Sequence, residues 1–138
     1  MQKIDLATLD TKKGGEEGFE LELLHPVEGY GLGQFITVIG ADSESYQEQL
    51  RALQQKTVSR MFKKSRLMNA REEGDNDAIE LLVTATRSWR DIELDGQPLA
   101  FSADAARKLY RRFEWVREQV AGAIQDRANF LPRSAGAS

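Results

Sequence analysis

Few side chains in this sequence are able to do chemistry. His25 is the only histidine, and there are no cysteines. A single imidazole without thiolates makes a poor transition-metal site. As a catalytic base it would need a nucleophile and an orienting group, and no neighbouring spacing supplies them. Placed before Pro26 at the end of a strand-like run, it reads as a turn or packing residue. Gly29-Tyr30-Gly31-Leu32-Gly33 has the glycines of a phosphate-cradling loop. Such loops open a helix, however, and this one opens Phe35-Ile36-Thr37-Val38-Ile39, a β-branched strand pattern. It reads as a hairpin loop that needs positive φ. The acids Glu72, Glu73, Asp75 and Asp77 lack the Asp-x-Asp-x-Asp-Gly order and the closing Glu of a calcium loop. They read as a solvated break and a helix cap. The sequence therefore predicts no catalytic residue, no metal-ligand set, no cofactor and no enzyme.

One charged stretch carries more. Lys56, Arg60, Lys63, Lys64, Arg66 and Arg71 follow one another with no acid between positions 56 and 71. A solvated helix face is the plain reading; a dock for an acidic or helical partner is the functional one. Proteins that grip single-stranded nucleic acid interleave aromatics with their cations, and here only Phe62 does so, which argues against nucleic acid as partner. The net charge of −3 gives no global attraction for nucleic acid or an anionic membrane.

These residues must be positioned by a small set of elements. Residues 1–18 are polar, and Lys12-Lys13-Gly14-Gly15-Glu16-Glu17-Gly18 reads as a flexible loop in an N-terminal arm. Ile4, Leu6 and Leu9 are its large apolar residues, placed either to dock the arm or to stay mobile with it. A single domain is expected over 19–130, with 131–138 as a small, polar, disordered tail. Phe19, Leu21 and Leu23 alternate with Glu20 and Glu22, and with 35–39 they predict a hairpin over 19–40. Asp42 and Ser43 offer N-cap chemistry for a long helix over about 43–69. Its apolar seam is Tyr46, Leu50, Leu53, Val58, Met61 and Phe62. The acidic run breaks the chain, and Ile79, Leu82, Val83 and Thr86 mark a helix over about 77–87. A strand over 81–86 is the other reading of that run. Asp95-Gly96 is a turn signal between Ile92-Glu93-Leu94 and Leu99-Ala100-Phe101, with Pro98 restricting this to a short edge hairpin. Ser102 caps a helix over about 103–113, and a last helix over about 115–128 buries Val116, Val120, Ala123 and Ile124.

The expected fold is thus α+β, mainly helical, with an N-terminal hairpin packed on a bundle of about four helices. From Trp89 to Phe130 the chain holds both tryptophans and half of its six phenylalanines, without a catalytic constellation. Such a region is built to pack, and Trp115, one residue off the Val116–Val120–Ile124 stripe, is expected to be partly exposed. At 138 residues there is room for one domain with a core. No apolar run approaches the roughly 20 residues of a membrane span. Met1-Gln2-Lys3-Ile4-Asp5 lacks the apolar core of a signal peptide, and the absence of cysteine suits a reducing compartment, so a cytoplasmic protein is expected.

The order Leu6-Ala-Thr-Leu9-Asp-Thr11, Leu21-Glu-Leu23-Leu-His25-Pro26-Val-Glu-Gly29 and Ile36-Thr-Val38-Ile-Gly40-Ala-Asp42-Ser43 resembles the tail assembly chaperones of long-tailed bacteriophages. So does Trp89-x-x-Ile92-x-Leu94-Asp-Gly96-x-Pro98-Leu99-x-Phe101-Ser102, followed by Ala106, Leu109, Tyr110 and Trp115. The resemblance covers about residues 5–131 and lies in the order and spacing of short structural segments. It implies a noncatalytic protein of the host cytoplasm that binds the tape measure protein, helps recruit tail tube protein and is absent from the mature virion. It also implies that this chain is the short form, before any frameshift extension. Homo-oligomerisation is compatible with the sequence. The competing readings are a structural tail or head–tail joining component, and a small protein-binding regulatory module. Amphipathic partner helices dock into apolar grooves. The residues expected to contribute are Tyr46, Leu50, Leu53, Lys56, Arg60, Phe62, Lys63 and Lys64, with Trp115 as a separate aromatic anchor.

Overall fold

The computed structural model describes residues 3–62 and 70–131. Strands β1 (Phe19–Leu24) and β2 (Gly31–Val38) form the expected antiparallel hairpin, with Leu21 opposite Ile36. Strand alternation decides its faces: Leu21, Leu23, Ile36 and Val38 are buried, while Glu20 and Glu22 face outward. A third strand, β3 (Thr86–Arg90), pairs with the other side of β2. This corrects the expected helix, which stops at Ala85. Only Thr86 and Trp89 of β3 turn toward the core, so its apolar alternation is too thin to announce a strand. Thr86 Oγ1 donates to Leu82 O at 2.7 Å, which uses its one hydrogen. The Tyr110 hydroxyl, 2.7 Å away, therefore donates to it.

Three other expectations need correction. The Lys12–Gly18 stretch is mostly helix: α1 spans Thr11–Glu17, with Asp10 accepting from the Lys12 and Lys13 amides and Gly18 ending it at φ 91°. Its glycines serve close approach. A Cβ at Gly14 would overlap the carbonyl oxygen of Phe130, and one at Gly40, opposite, would meet the Phe130 ring at 2.9 Å. The acidic run does not break the chain either, because Gly74, Asp75 and Asp77 lie inside α3 (Ala70–Ala85). One glycine in a helix costs only about 1 kcal/mol relative to alanine, and carboxylates near the N-terminus suit the helix dipole. The last helix ends early: Asp126 caps a 3-10 turn over Arg127–Phe130 by accepting from the Ala128 amide.

The remaining elements follow their signals. Helix α2 (Glu44–Phe62) is capped by Ser43, whose Oγ accepts from the Tyr46 amide and donates to Gly40 O. Asp42 instead pairs with Arg127, 2.6 Å away. The expected continuation to position 69 lies outside the described residues, as does the tail beyond Leu131. Strands β4 (Glu93–Leu94) and β5 (Gln97–Pro98) enclose Asp95 and Gly96, at φ 54° and 78°. Two successive positive φ values define the tight hairpin turn that Asp-Gly favours. Ser102 caps α4 (Ala103–Arg112) through the Ala105 amide, and α5 (Glu114–Gln125) follows.

Helix α5 lies across the buried face of β1 and β2, and α3 and α4 pack on α5. Helix α2 packs on α3 at the outside of this bundle. The Gln119 side-chain amide, from α5, bonds both the N–H and the C=O of Leu24 at 2.9 Å and closes the end of the β1 edge. The segment after β2 gathers the fold. Ile39 N–H donates to Ala85 O, Gly40 N–H to Gly15 O and Ala41 N–H to Ile124 O, at 2.9 to 3.0 Å. Three successive amides thereby tie α3, α1 and α5 together.

Candidate docking surface

The stripe on α2 divides between core and surface. Tyr46 is 7% exposed, and its hydroxyl oxygen accepts from Gln125 Nε2 at 3.3 Å. Burial pushes the pKa of that hydroxyl up. Tyr46 is therefore a core residue, sealed where α2 begins. Leu50 and Leu53, one and two turns further on, are half-buried, and Val58 is 52% exposed. Across from them stand Ala78 and Leu81 of α3. These five side chains, with Gln54, Thr57 and Asp77 at the margins, line an open, mostly apolar groove of about 420 Å³. The Thr57 hydroxyl donates back to Leu53 O at 3.0 Å, so it places no unsatisfied donor on the wall.

The electrostatics beside the groove are set on α2 and α3. Arg51 and Lys56 are exposed on α2. Glu80, on α3, feels the charge of Lys56 but is held by the guanidinium of Arg107 at 2.5 and 2.9 Å. That pairing is the first reason its carboxyl titrates below the usual range. Glu80 is therefore committed to Arg107, and the charged side chain that lines the groove itself is Asp77.

Of the residues expected to form a partner surface, the fold brings Leu50 and Leu53 to the groove, and Lys56 is exposed on the same helix. Arg60 and Phe62 belong to the last turn of α2. Lys63 and Lys64 lie outside the described residues. Trp115 is half-buried on α5, edge-on to Phe113 at 6.2 Å, and lines no part of the groove. The selection of surface residues omits Val58, Ala78 and Leu81. Leu81 did leave a trace in the sequence, as an apolar residue off the buried Ile79–Leu82–Val83 stripe.

The groups weighed for chemistry have structural roles. His25 Nδ1 accepts from the Val27 and Glu28 amides at 3.1 and 2.9 Å, and the ring stacks on Tyr30 at 4.9 Å. Gly29 takes φ 80° in the loop between β1 and β2, and Gly33 takes φ 70° inside β2, where the pairing with β1 shifts register. Among the described residues no three His, Asp or Glu side chains converge to hold a metal ion. No described helix is long and apolar enough to cross a membrane. No protein-family model matches this chain, and no curated protein or solved structure matches it.

Proposed function

We propose that this protein is a noncatalytic tail assembly chaperone of a long-tailed bacteriophage, acting in the host cytoplasm. In this reading it holds apolar helix of the tape measure protein during tail building, helps recruit tail tube protein, and is left out of the mature virion. The observation that carries the proposal is the α2/α3 groove, an open, mostly apolar channel between two helices. Such a channel takes an amphipathic helix with anchors at i, i+3, i+4 and i+7. The segments that resemble the chaperone family add to it.

The test is co-expression with the tape measure protein of the same genome, followed by co-purification. The chaperone keeps its client soluble and elutes with it through moderate salt. Leu53→Asp with Val58→Asp abolishes co-elution while the variant stays folded, and reversing Lys63 and Lys64 to Glu weakens it. A client that precipitates beside soluble wild-type protein overturns the proposal. Detection of this chain in purified mature particles would favour a structural tail component instead.

A further inference from the structure

His25 directly follows β1, and its ring folds over the loop that leads to β2. Nδ1 accepts from two successive backbone amides, Val27 at 3.1 Å and Glu28 at 2.9 Å. An imidazole nitrogen that accepts carries a lone pair and no hydrogen. The geometry therefore assigns a neutral ring with its one proton on Nε2. Asn and Asp do the same work in Asx turns, where a side-chain oxygen collects the amide two residues on. The Asn oxygen keeps its lone pairs at any pH. An imidazole that takes a second proton loses its acceptor, and both amides then face an N–H.

The rest of the loop makes that loss local. Gly29 N–H donates to His25 O at 3.0 Å, and His25 N–H donates to Tyr30 O at 2.7 Å. These bonds use backbone atoms alone and hold the ends of the loop; its middle hangs on the imidazole. Val27 is 83% exposed and Tyr30 58%, so little packing holds the loop in shape besides the stacking of His25 on Tyr30. The charged side chains at this end of the hairpin are Glu22 and Glu28. Glu22 accepts from the Gly33 amide, and among the described residues neither pairs with His25. Helix α5 reaches this end through Gln119, which is uncharged and bonded to Leu24. Beside Gln119 on that helix, Arg117 pairs with Glu114 and Glu118 is exposed. No ion pair therefore holds the ring in its charged form.

We infer that His25 is a proton-operated clasp: neutral, it fixes the middle of the hairpin loop, and protonation at Nδ1 releases the Val27 and Glu28 amides and loosens the tip. The strands and the core stay in place, because their bonds do not pass through the ring. The inference goes beyond the chaperone proposal and holds without it.

Solution NMR of the full, isotope-labelled chain tests it, and a single histidine makes the imidazole signals unambiguous. At neutral pH, long-range proton–nitrogen correlations place the proton on Nε2 and the lone pair on Nδ1. As acid charges the ring, the Val27 and Glu28 amide protons shift upfield and their exchange protection factors fall roughly five- to tenfold. Amides within β1 and β2 keep their protection. His25→Asn retains a side-chain acceptor and holds the two amides in acid and at neutral pH alike, whereas His25→Ala holds them at neither. Far-UV circular dichroism shows both variants folded. A proton found on Nδ1 at neutral pH would overturn the inference. So would Val27 and Glu28 amides that do not respond while the ring titrates, or a His25→Asn variant that loosens in acid as wild type does.

Discussion

Two helix contacts of the bundle are built on contrary rules. Where α1 meets the 3-10 turn at Phe130, glycine removes every side-chain atom from the approach, and Glu16 ties the same helix to the start of α2 by accepting from the Ser45 amide at 2.7 Å and its hydroxyl at 3.1 Å. Where α2 meets α3, leucines and a valine stand apart and leave a channel. The first contact spends its sequence on closeness; the second keeps apolar surface in reserve. Burial stabilises the native state by about 25 cal/mol per Å² removed from water, so leaving such surface open forgoes stability unless something else covers it.

Substitutions can separate the two rules. The largest effect is expected at the closed contact. Gly14→Val places atoms where the Phe130 carbonyl lies, so α1 must lift away, and denaturant unfolding should show a loss of roughly 3 kcal/mol. A midpoint unchanged from wild type would mean that the arm contributes nothing to the fold. Next comes the buried Thr86–Tyr110 pair. Burial pushes the Tyr110 hydroxyl from 10.0 up to about 12. An acid whose folded pKa is raised contributes stability present below its unfolded pKa and lost as pH rises through the folded one. The protein should therefore weaken between pH 10.0 and about 12, by roughly 2–3 kcal/mol in all. Tyr110→Phe should remove that alkaline limb, at a cost of about 1 kcal/mol at neutral pH from the Thr86 acceptor left unpaired.

At the open contact the expected stability change is small. Val58→Asp replaces a half-exposed side chain, and its unfolding free energy should stay within about 0.5 kcal/mol of wild type even as partner binding is lost. A much larger loss would show that the channel closes in solution. The smallest effect is expected for Arg127→Ala. The Arg127 guanidinium holds the Asp42 carboxyl below its ordinary range, so the pair stabilises above the ordinary carboxylate pKa and stops doing so as pH falls through the depressed one. Wild type and variant should differ slightly near neutral pH and converge in acid, as read by thermal midpoints across a pH series.

Much of the fold is legible in the residues. The Phe19–Leu23 alternation, the Asp95-Gly96 turn and the Ser102 cap each act through local stereochemistry, and the structure places hairpin, turn and α4 where those signals stand. The misses depend on distant partners. Gly14-Gly15 spells a loop until Phe130 and Ser43 are known to press against it. Thr86–Arg90 lacks apolar alternation, because pairing with β2, not its own pattern, makes it a strand. The docking surface is half legible: helical periodicity gathers Tyr46, Leu50 and Leu53 on one face, but only tertiary packing assigns Tyr46 to the core and brings Leu81 across from Leu53.

The three tethered amides at positions 39–41 bear on how the chain reaches this state. Their acceptors, Gly15, Ala85 and Ile124, span most of the polypeptide. Contacts between distant positions incur chain-closure entropy before they return any stability, and folds rich in them form slowly. During translation the Ala41 amide has no native acceptor until Ile124 has left the ribosome. Closing that third tether is then the last step in joining α1, α3 and α5. Hydrogen exchange pulsed along a series of stalled nascent chains would record that step as the abrupt protection of residues 39–41.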